Sequence, residues 1–148
     1  MAETTVSVKV SSRIEWIDAV EALAVDLAHD MGFSEPQRFD ISLAVREALN
    51  NAIIHGNRGD ASKRIWVNFG LASEALSVRV RDEGGGYRAD EIPDPTRAEN
   101  LLKSSGRGVF YIKNVMDEVD LSRTSKAGGE IFMVKRRGPR EGERPGTD

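Results

Sequence analysis

The chain has 148 residues, of which 39% are hydrophobic, and this length fits one globular domain with a substantial core. Its 24 acidic and 21 basic residues give a formal charge of -3, so it lacks the positive surface expected of a protein that binds nucleic acid or an anionic membrane. No apolar run is long enough to span a membrane, no signal peptide pattern opens the sequence, and no cysteine is present, so we expect a cytoplasmic protein.

The first part of the chain is predicted to form one strand and two helices. Alternating apolar and polar residues predict a half-buried strand over residues 5–10. Apolar residues then recur every three or four positions over residues 12–32, which predicts a helix that ends at a glycine. A capping box formed by Ser34 and Gln37 predicts the start of a second helix, which runs to about residue 55.

The remaining elements are predicted to complete one sheet. Four alternating runs predict strands, at residues 65–69, 76–80, 119–121 and 131–134. Residues 82–105 combine glycine, proline and scattered charge, which is typical of a functional lid or of a disordered segment. Helical spacing resumes over residues 106–116. We expect one domain over residues 1–137, with a sheet that carries helices on one face, and a disordered tail over residues 138–148.

The second predicted helix carries polar residues at every fourth position. Glu47, Asn51 and His55 therefore stack on one face, and nearly all residues around them are apolar. A solvated outer face is the alternative, but such a face usually carries lysine and arginine, so we expect this stripe to face a cavity. The amide oxygen of Asn51 suits magnesium, and Glu47 is placed to accept a proton from a hydroxyl group or water. For His55 we favour a capping or packing role at the helix end.

A glycine-rich turn directly follows the third predicted strand. Gly84 and Gly86 let the backbone approach a flat ligand closely, and Asp82 is placed to accept a hydrogen bond from an exocyclic amine such as that of adenine. An ordinary tight turn explains the same residues without any ligand. This segment alone leaves both interpretations open.

A second glycine segment stands immediately before the third predicted helix. It consists of Ser104, Ser105, Gly106, Arg107 and Gly108, and the unpaired N–H groups and dipole of a helix N-terminus favour phosphate. The alternative is an ordinary helix cap with Arg107 at the surface. The segment is not a Walker loop, because no Gly-Lys-Ser/Thr follows it.

The order of these features is more specific than any one of them. The chain resembles the gyrase, heat-shock chaperone, histidine kinase and mismatch-repair ATPases, which share the order of polar helix, Asp-x-Gly-x-Gly turn, lid and Gly-x-Gly helix start. Residues 47–56 (EALNNAIIHG) and 106–119 (GRGVFYIKNVMDEV) are more closely similar to the anti-sigma factor serine/threonine kinases of bacteria. This resemblance covers roughly residues 5–136 and implies an α+β fold. The implied architecture is the two-layer α/β sandwich called the Bergerat fold, with helices on one face of a mixed, mostly antiparallel sheet.

The resemblance also implies ATP and magnesium as ligands and a role for each matching residue. Asn51 corresponds to the magnesium-binding asparagine, and Glu47 corresponds to the general base that acts on the substrate serine. Asp82 corresponds to the adenine-binding aspartate. Glycines of the two loops complete the implied site, with Gly84 and Gly86 beside adenine and Gly106 and Gly108 at the phosphates.

The resemblance implies particular partners as well. Such kinases phosphorylate a serine on a small anti-anti-sigma (STAS-type) protein, hold a sigma factor in an alternative complex, and commonly form homodimers. A non-catalytic module that sequesters a sigma factor or another regulator in response to nucleotide is the alternative function. One departure concerns Glu130, which follows Gly129 where the superfamily often has a threonine near the phosphates. A glutamate that faced inward at this position would repel phosphate.

Overall fold

A computed structural model describes residues 3–84, 104–124 and 128–138 of the protein. The described strands form one five-stranded sheet in the order β1-β2-β3-β5-β4, and each neighbouring pair is antiparallel. The strands are β1 (Thr4–Ser11), β2 (Arg64–Leu71), β3 (Ala75–Arg81), β4 (Glu118–Thr124) and β5 (Gly128–Arg136).

Three helices are described beside this sheet. A short 3-10 turn precedes the first helix, and the second helix continues directly into a π-helical segment. The bounds are Ile14–Trp16 for the 3-10 turn, Ile17–Asp30 for α1, Glu35–Asn50 for α2, Asn51–Gly56 for the π-helical segment and Ser104–Val115 for α3.

The start of α2 is fixed by the capping box that the sequence predicts. The Ser34 hydroxyl accepts a hydrogen bond from the Gln37 N–H at 3.3 Å, and the Gln37 side chain accepts one from the Ser34 N–H at 2.9 Å. The Gln37 amide also donates to the carbonyl oxygens of Arg136 and Arg137, at 3.4 and 3.2 Å. The N-terminus of α2 is therefore tied to the end of β5, which is almost one hundred residues away in the chain.

The two faces of the sheet differ in chemistry, as the alternating patterns predict. One face contributes buried apolar residues to a core shared with the helices, among them Ile65, Val67, Phe69, Leu76, Val78, Ile131 and Met133. The opposite face carries polar and charged residues together with two arginine–aromatic stacks. Arg79 lies 4.6 Å from the ring centre of Phe132, and Arg81 lies 4.5 Å from that of Trp66. The prediction of an α+β sandwich with helices on one face of the sheet is confirmed.

The element boundaries differ from the prediction in two places. The closing strands are longer than the predicted residues 119–121 and 131–134, and α3 begins at Ser104 rather than at Gly106. Most of the predicted lid, at residues 85–103, and the predicted tail from residue 139 onward lie outside the described residues. No helix within the described ranges combines the length and apolar character needed to span a membrane.

The capping box generates a prediction about stability. Replacing Ser34 by alanine leaves the Gln37 N–H without its acceptor, so we expect Ser34→Ala to lower the free energy of unfolding by about 1 kcal/mol in urea denaturation. Ser42→Ala is the matched control, because Ser42 lies inside the same helix and bonds only to the Phe39 carbonyl among the described contacts. Its effect should stay below about 0.5 kcal/mol, since alanine favours helix interiors. Equal losses in the two variants would contradict the prediction.

Candidate functional site

The end of the second helix changes its winding at the predicted polar stripe. From Asn51 to Gly56 the chain is π-helical, and the Asn57 N–H donates to the Ala52 carbonyl five residues earlier, at 2.8 Å. Such segments occur frequently at functional sites, because one extra residue per turn redirects the side chains that follow. Asn51 is 3% exposed, whereas His55 is an exposed residue. The predicted stripe therefore places Asn51 in a buried position and leaves His55 exposed, so its three side chains do not share one buried position.

Gly108 on α3 packs directly against Glu47 of α2 and Asn51 of the π-helical segment. A β-carbon added at Gly108 would lie 3.1 Å from Glu47 Oε2 and 3.2 Å from Asn51 Nδ2. The Asn51 Nδ2 atom is buried and donates to no atom within residues 3–84, 104–124 and 128–138. A buried amide without a protein partner is rare and costly, so this corner is suited to a polar ligand. The structure thus brings together Glu47, Asn51 and Gly108, which the sequence predicts as site residues.

Asp82 forms the second polar centre of the site. It is 1% exposed, and its Oδ1 atom accepts hydrogen bonds from the N–H groups of Gly84 at 2.8 Å and Gly129 at 3.0 Å. Burial raises the pKa of Asp82 above its usual value, and the two backbone hydrogen bonds act in the opposite direction. The carboxylate is therefore held in a fixed position, close to the end of the π-helical segment.

Close backbone contacts around Asp82 require glycine at three positions. A β-carbon at Gly56 would overlap the Asp82 carboxylate, and one at Gly84 would overlap the Gly56 carbonyl oxygen. Gly128 has φ +94° and would overlap the Asp82 carbonyl oxygen. Of these three, only Gly84 is predicted as a site residue from the sequence. Gly56 is the last residue of the segment EALNNAIIHG, which carries the resemblance and is the signal that could have identified it. The role of Gly128 has no local signal in the sequence.

A buried asparagine joins the two sides of the site. Asn57 is 0% exposed, donates from Nδ2 to the Arg64 carbonyl at 3.1 Å and accepts at Oδ1 from the Glu83 N–H at 2.8 Å. The sequence places Asn57 in a polar turn, because Asn-Arg-Gly-Asp is typical of an exposed loop. This residue was missed, since its partners lie on other elements.

The predicted phosphate-binding segment forms the first turn of α3 and does not precede it. Because α3 begins at Ser104, the N–H groups without an intrahelical partner are those of its first four residues, which include Ser105, Gly106 and Arg107. The side chains of Ser105 and Arg107 are not described, and Gly86 lies outside the described residues altogether. The roles of Gly86, Ser105, Gly106 and Arg107 stay predictions.

Glu130 lies on the face of the sheet opposite the helices, because its neighbour Ile131 faces the core. It lies opposite Arg81 in the register of β3 and β5, and its carboxylate contacts Arg79 Nη1 at 2.5 Å on the open face of the sheet. The condition for phosphate repulsion, a glutamate that faces inward, is therefore not met.

The chain is similar to a known protein family and to several known proteins. The model of the histidine kinase-like ATPase domain family matches residues 10–135 of the chain. The serine-protein kinase RsbW of Bacillus subtilis is 26% identical over 136 residues, which cover 88% of this chain and 84% of that protein. The anti-sigma F factor of Oceanobacillus iheyensis is 31% identical over 98 residues, which cover 65% of this chain and 67% of that protein.

Solved structures share the fold. The structure of the RsbU and RsbW domains of a Mycobacterium tuberculosis protein aligns with a TM-score of 0.66 and 18% identity over 93% of this chain. The chain corresponds to only 34% of that longer protein. The mycobacterial sensor histidine kinase MprB aligns with a TM-score of 0.55 and 18% identity, over 90% of this chain and 99% of that structure. At this identity the likeness shows the fold alone.

The burial of Asp82 generates a prediction about pH and stability. Because the folded-state pKa is raised, the wild type loses stability as pH rises through that pKa, while an amide cannot ionise. We therefore expect the free energy of unfolding of Asp82→Asn, relative to wild type, to be higher near pH 7 than near pH 3. Urea denaturation at the two pH values measures the difference.

Asp60→Asn is the matched control with the opposite sign. Hydrogen bonds from Ser62 lower the pKa of the exposed Asp60 carboxylate, so its stabilising contribution is present above the unfolded pKa and is lost as pH falls. Asp60→Asn should therefore be relatively less stable near pH 7 than near pH 3. The same direction of change in both variants would overturn the interpretation of Asp82.

Proposed function

The chain belongs to the histidine kinase-like ATPase domain family, and on this premise we propose that it is an anti-sigma factor that uses ATP to phosphorylate a serine of an anti-anti-sigma (STAS-type) protein. The observation that carries the proposal is the close approach of Gly108 to the Glu47 and Asn51 side chains, a few residues before the contact of Gly56 with Asp82. Gly56 follows Asn51 by five positions and ends the π-helical segment that Asn51 begins. This spacing suits a ligand with a base at one end and phosphates at the other.

Asp82 is assigned to the adenine end of the ligand. A carboxylate can only accept hydrogen bonds when ionised, so it selects a donor such as the exocyclic amine of adenine. Its Oδ1 atom is held by two backbone N–H groups, and a fixed acceptor discriminates better between bases than a mobile one. Gly84 and Gly86 are proposed to let the backbone lie close to the base.

Asn51 and the start of α3 are assigned to the phosphate end. Within the described residues no group of three or more His, Asp or Glu side chains is placed to hold a metal ion. Magnesium suits a site of a different kind, because it usually keeps several waters and takes phosphate oxygens together with one or two protein oxygens. The amide oxygen of the buried Asn51 fits as that protein oxygen, and magnesium bound there would neutralise phosphate charge. Phosphate contacts are proposed for four residues of α3, namely Ser105, Gly106, Arg107 and Gly108.

Glu47 is assigned the role of general base. Its carboxylate lies one helical turn before Asn51 and beside the backbone of Gly108, so a serine hydroxyl presented at this corner would be close to both the carboxylate and the phosphates. Glu47 would accept the hydroxyl proton as the serine oxygen bonds to the γ-phosphorus and the bond from phosphorus to the ADP oxygen breaks. Positioning and charge neutralisation supply most of the rate in such transfers.

The proposed partners follow from the relatives that share the domain. One is named a serine-protein kinase and another an anti-sigma F factor. We therefore propose that the chain acts in the cytoplasm, that it binds a sigma factor in one complex, and that it binds its anti-anti-sigma substrate in the other.

Nucleotide titration tests the binding half of the proposal. Purified wild type should bind ATP saturably, with an affinity that rises when magnesium is present. Asp82→Asn should lower the affinity for ATP by about tenfold to a hundredfold, because the loss of one charge-assisted hydrogen bond has an effect of this size. Asn51→Ala should remove the magnesium dependence, whereas the control Asn50→Ala should retain it. A folded wild type that binds no nucleotide would refute the site.

Phosphotransfer tests the catalytic half. Glu47→Gln keeps the shape of the side chain and removes its basicity, so we expect ATP binding to persist while serine phosphorylation of the STAS-type partner slows by about 100-fold to 10,000-fold. Glu74→Gln, in the turn between β2 and β3, is the control and should leave the rate unchanged. Full activity of Glu47→Gln would refute the base assignment. Binding of ATP and a sigma factor by a wild type that never transfers phosphate would favour the non-catalytic module.

A homodimer is proposed from the resemblance to the anti-sigma kinases. Sedimentation velocity of the purified protein should then give a species of twice the 16.3 kDa mass of one chain. A single species of monomer mass at micromolar concentration, with and without ATP, would contradict this proposal.

A further inference from the structure

Each polar atom of Asn57 takes part in a hydrogen bond within the protein. Its backbone N–H donates to the Ala52 carbonyl at 2.8 Å, and its carbonyl accepts from the Asp60 N–H at 3.0 Å. Its side chain donates to the Arg64 carbonyl and accepts from the Glu83 N–H, and the whole residue is buried. A buried amide that is satisfied on both sides holds the elements it joins in one arrangement.

The side-chain contacts of Asn57 form part of a closed ring of three hydrogen bonds. Asn57 donates to Arg64, Arg64 donates from its N–H to the Glu83 carboxylate, and Glu83 donates from its N–H to Asn57. Each residue therefore donates to one member and accepts from the other. The ring connects the end of the π-helical segment, the start of β2 and the turn that follows β3.

The ring lies next to the proposed adenine acceptor. Gly56 and Asn57 are consecutive, and so are Asp82 and Glu83. Gly56 contacts the Asp82 carboxylate, while Asn57 bonds the Glu83 N–H. Two consecutive contacts fix both the position and the direction of a short segment, so the Asp82 side chain cannot shift along the helix end without breaking the ring.

We infer that Asn57 is a positioning residue that sets the selectivity of the site for adenine over guanine. The inference rests on the proposed function, because it concerns the same nucleotide pocket. Adenine presents an amine donor where guanine presents a carbonyl acceptor, and a carboxylate held in place accepts from the first and repels the second. A carboxylate free to shift can reach other donors on guanine, so discrimination should fall when the ring is opened.

The ratio of ATP to GTP affinity, measured by titration in the presence of magnesium, tests this inference. In Asn57→Asp one carboxylate oxygen can still accept from Glu83, but the other faces the Arg64 carbonyl where a donor stood. We expect the ATP:GTP affinity ratio to fall by about tenfold, toward that of Asp82→Asn, which sets the lower limit. Asn68→Asp is the matched control, because it makes the same exchange in β2 on the opposite face of the sheet and should leave the ratio unchanged.

A second variant covers the case in which Asn57→Asp does not fold. Glu83→Ala opens the ring at the Arg64 N–H, at a residue that is only half-buried, and should lower the ratio in the same direction. Equal losses of ATP and GTP affinity, or a wild-type ratio in a folded ring variant, would overturn the inference while leaving the proposed function intact. A wild type that binds neither nucleotide would overturn the proposed function, and with it this inference.

Discussion

Burial of a single carboxylate, that of Asp82, is the constraint on which the arrangement of the site depends. A buried charge is unfavourable unless hydrogen bonds replace its lost water, and here the N–H groups of Gly84 and Gly129 do so in part, because the Asp82 pKa is still raised. Those N–H groups can approach only because the surrounding backbone lacks β-carbons. Side chains at Gly56, Gly84 or Gly128 would overlap with Asp82 or with each other's backbone. The glycine pattern is therefore a consequence of bringing a carboxylate into the interior.

The second helix transmits this constraint to the rest of the site. The last residue of its π-helical end, Gly56, meets Asp82, whereas Asn51 and the preceding Glu47 meet α3 through Gly108. One continuous element thus fixes the separation between the proposed base end and the proposed phosphate end of the ligand. The helix is itself anchored at its N-terminus, where Gln37 bonds the end of β5. A shift of α2 would disturb both ends of the site together, which suits a pocket that must recognise one ligand of defined length.

The sequence predicts this architecture well because its signals are local. Period-two and period-three-to-four patterns identify each described strand and helix, and the Ser34–Gln37 capping box identifies a helix start. Asn57 and Gly128 escape prediction because their roles depend on partners far away in the chain. Asn57 bonds Glu83 across 26 residues, and Asp82 bonds Gly129 across 47. The sequence also carries no local signal for the π-helical winding. Because that winding sets the direction of the His55 side chain, the sequence does not predict that His55 is exposed.

Two asparagines on the same stretch of chain show how ligand-binding and positioning residues differ physically. Both are almost fully buried, at 3% exposure for Asn51 and 0% for Asn57. Asn57 satisfies its amide with backbone groups of two other elements, so folding alone explains why it is buried. The Nδ2 atom of Asn51 has no partner among the described residues, so no hydrogen bond within that part of the protein offsets the cost of burying it. The unsatisfied amide is better explained by a polar ligand, and the satisfied one by the need to hold the adjoining carboxylate in place for that ligand.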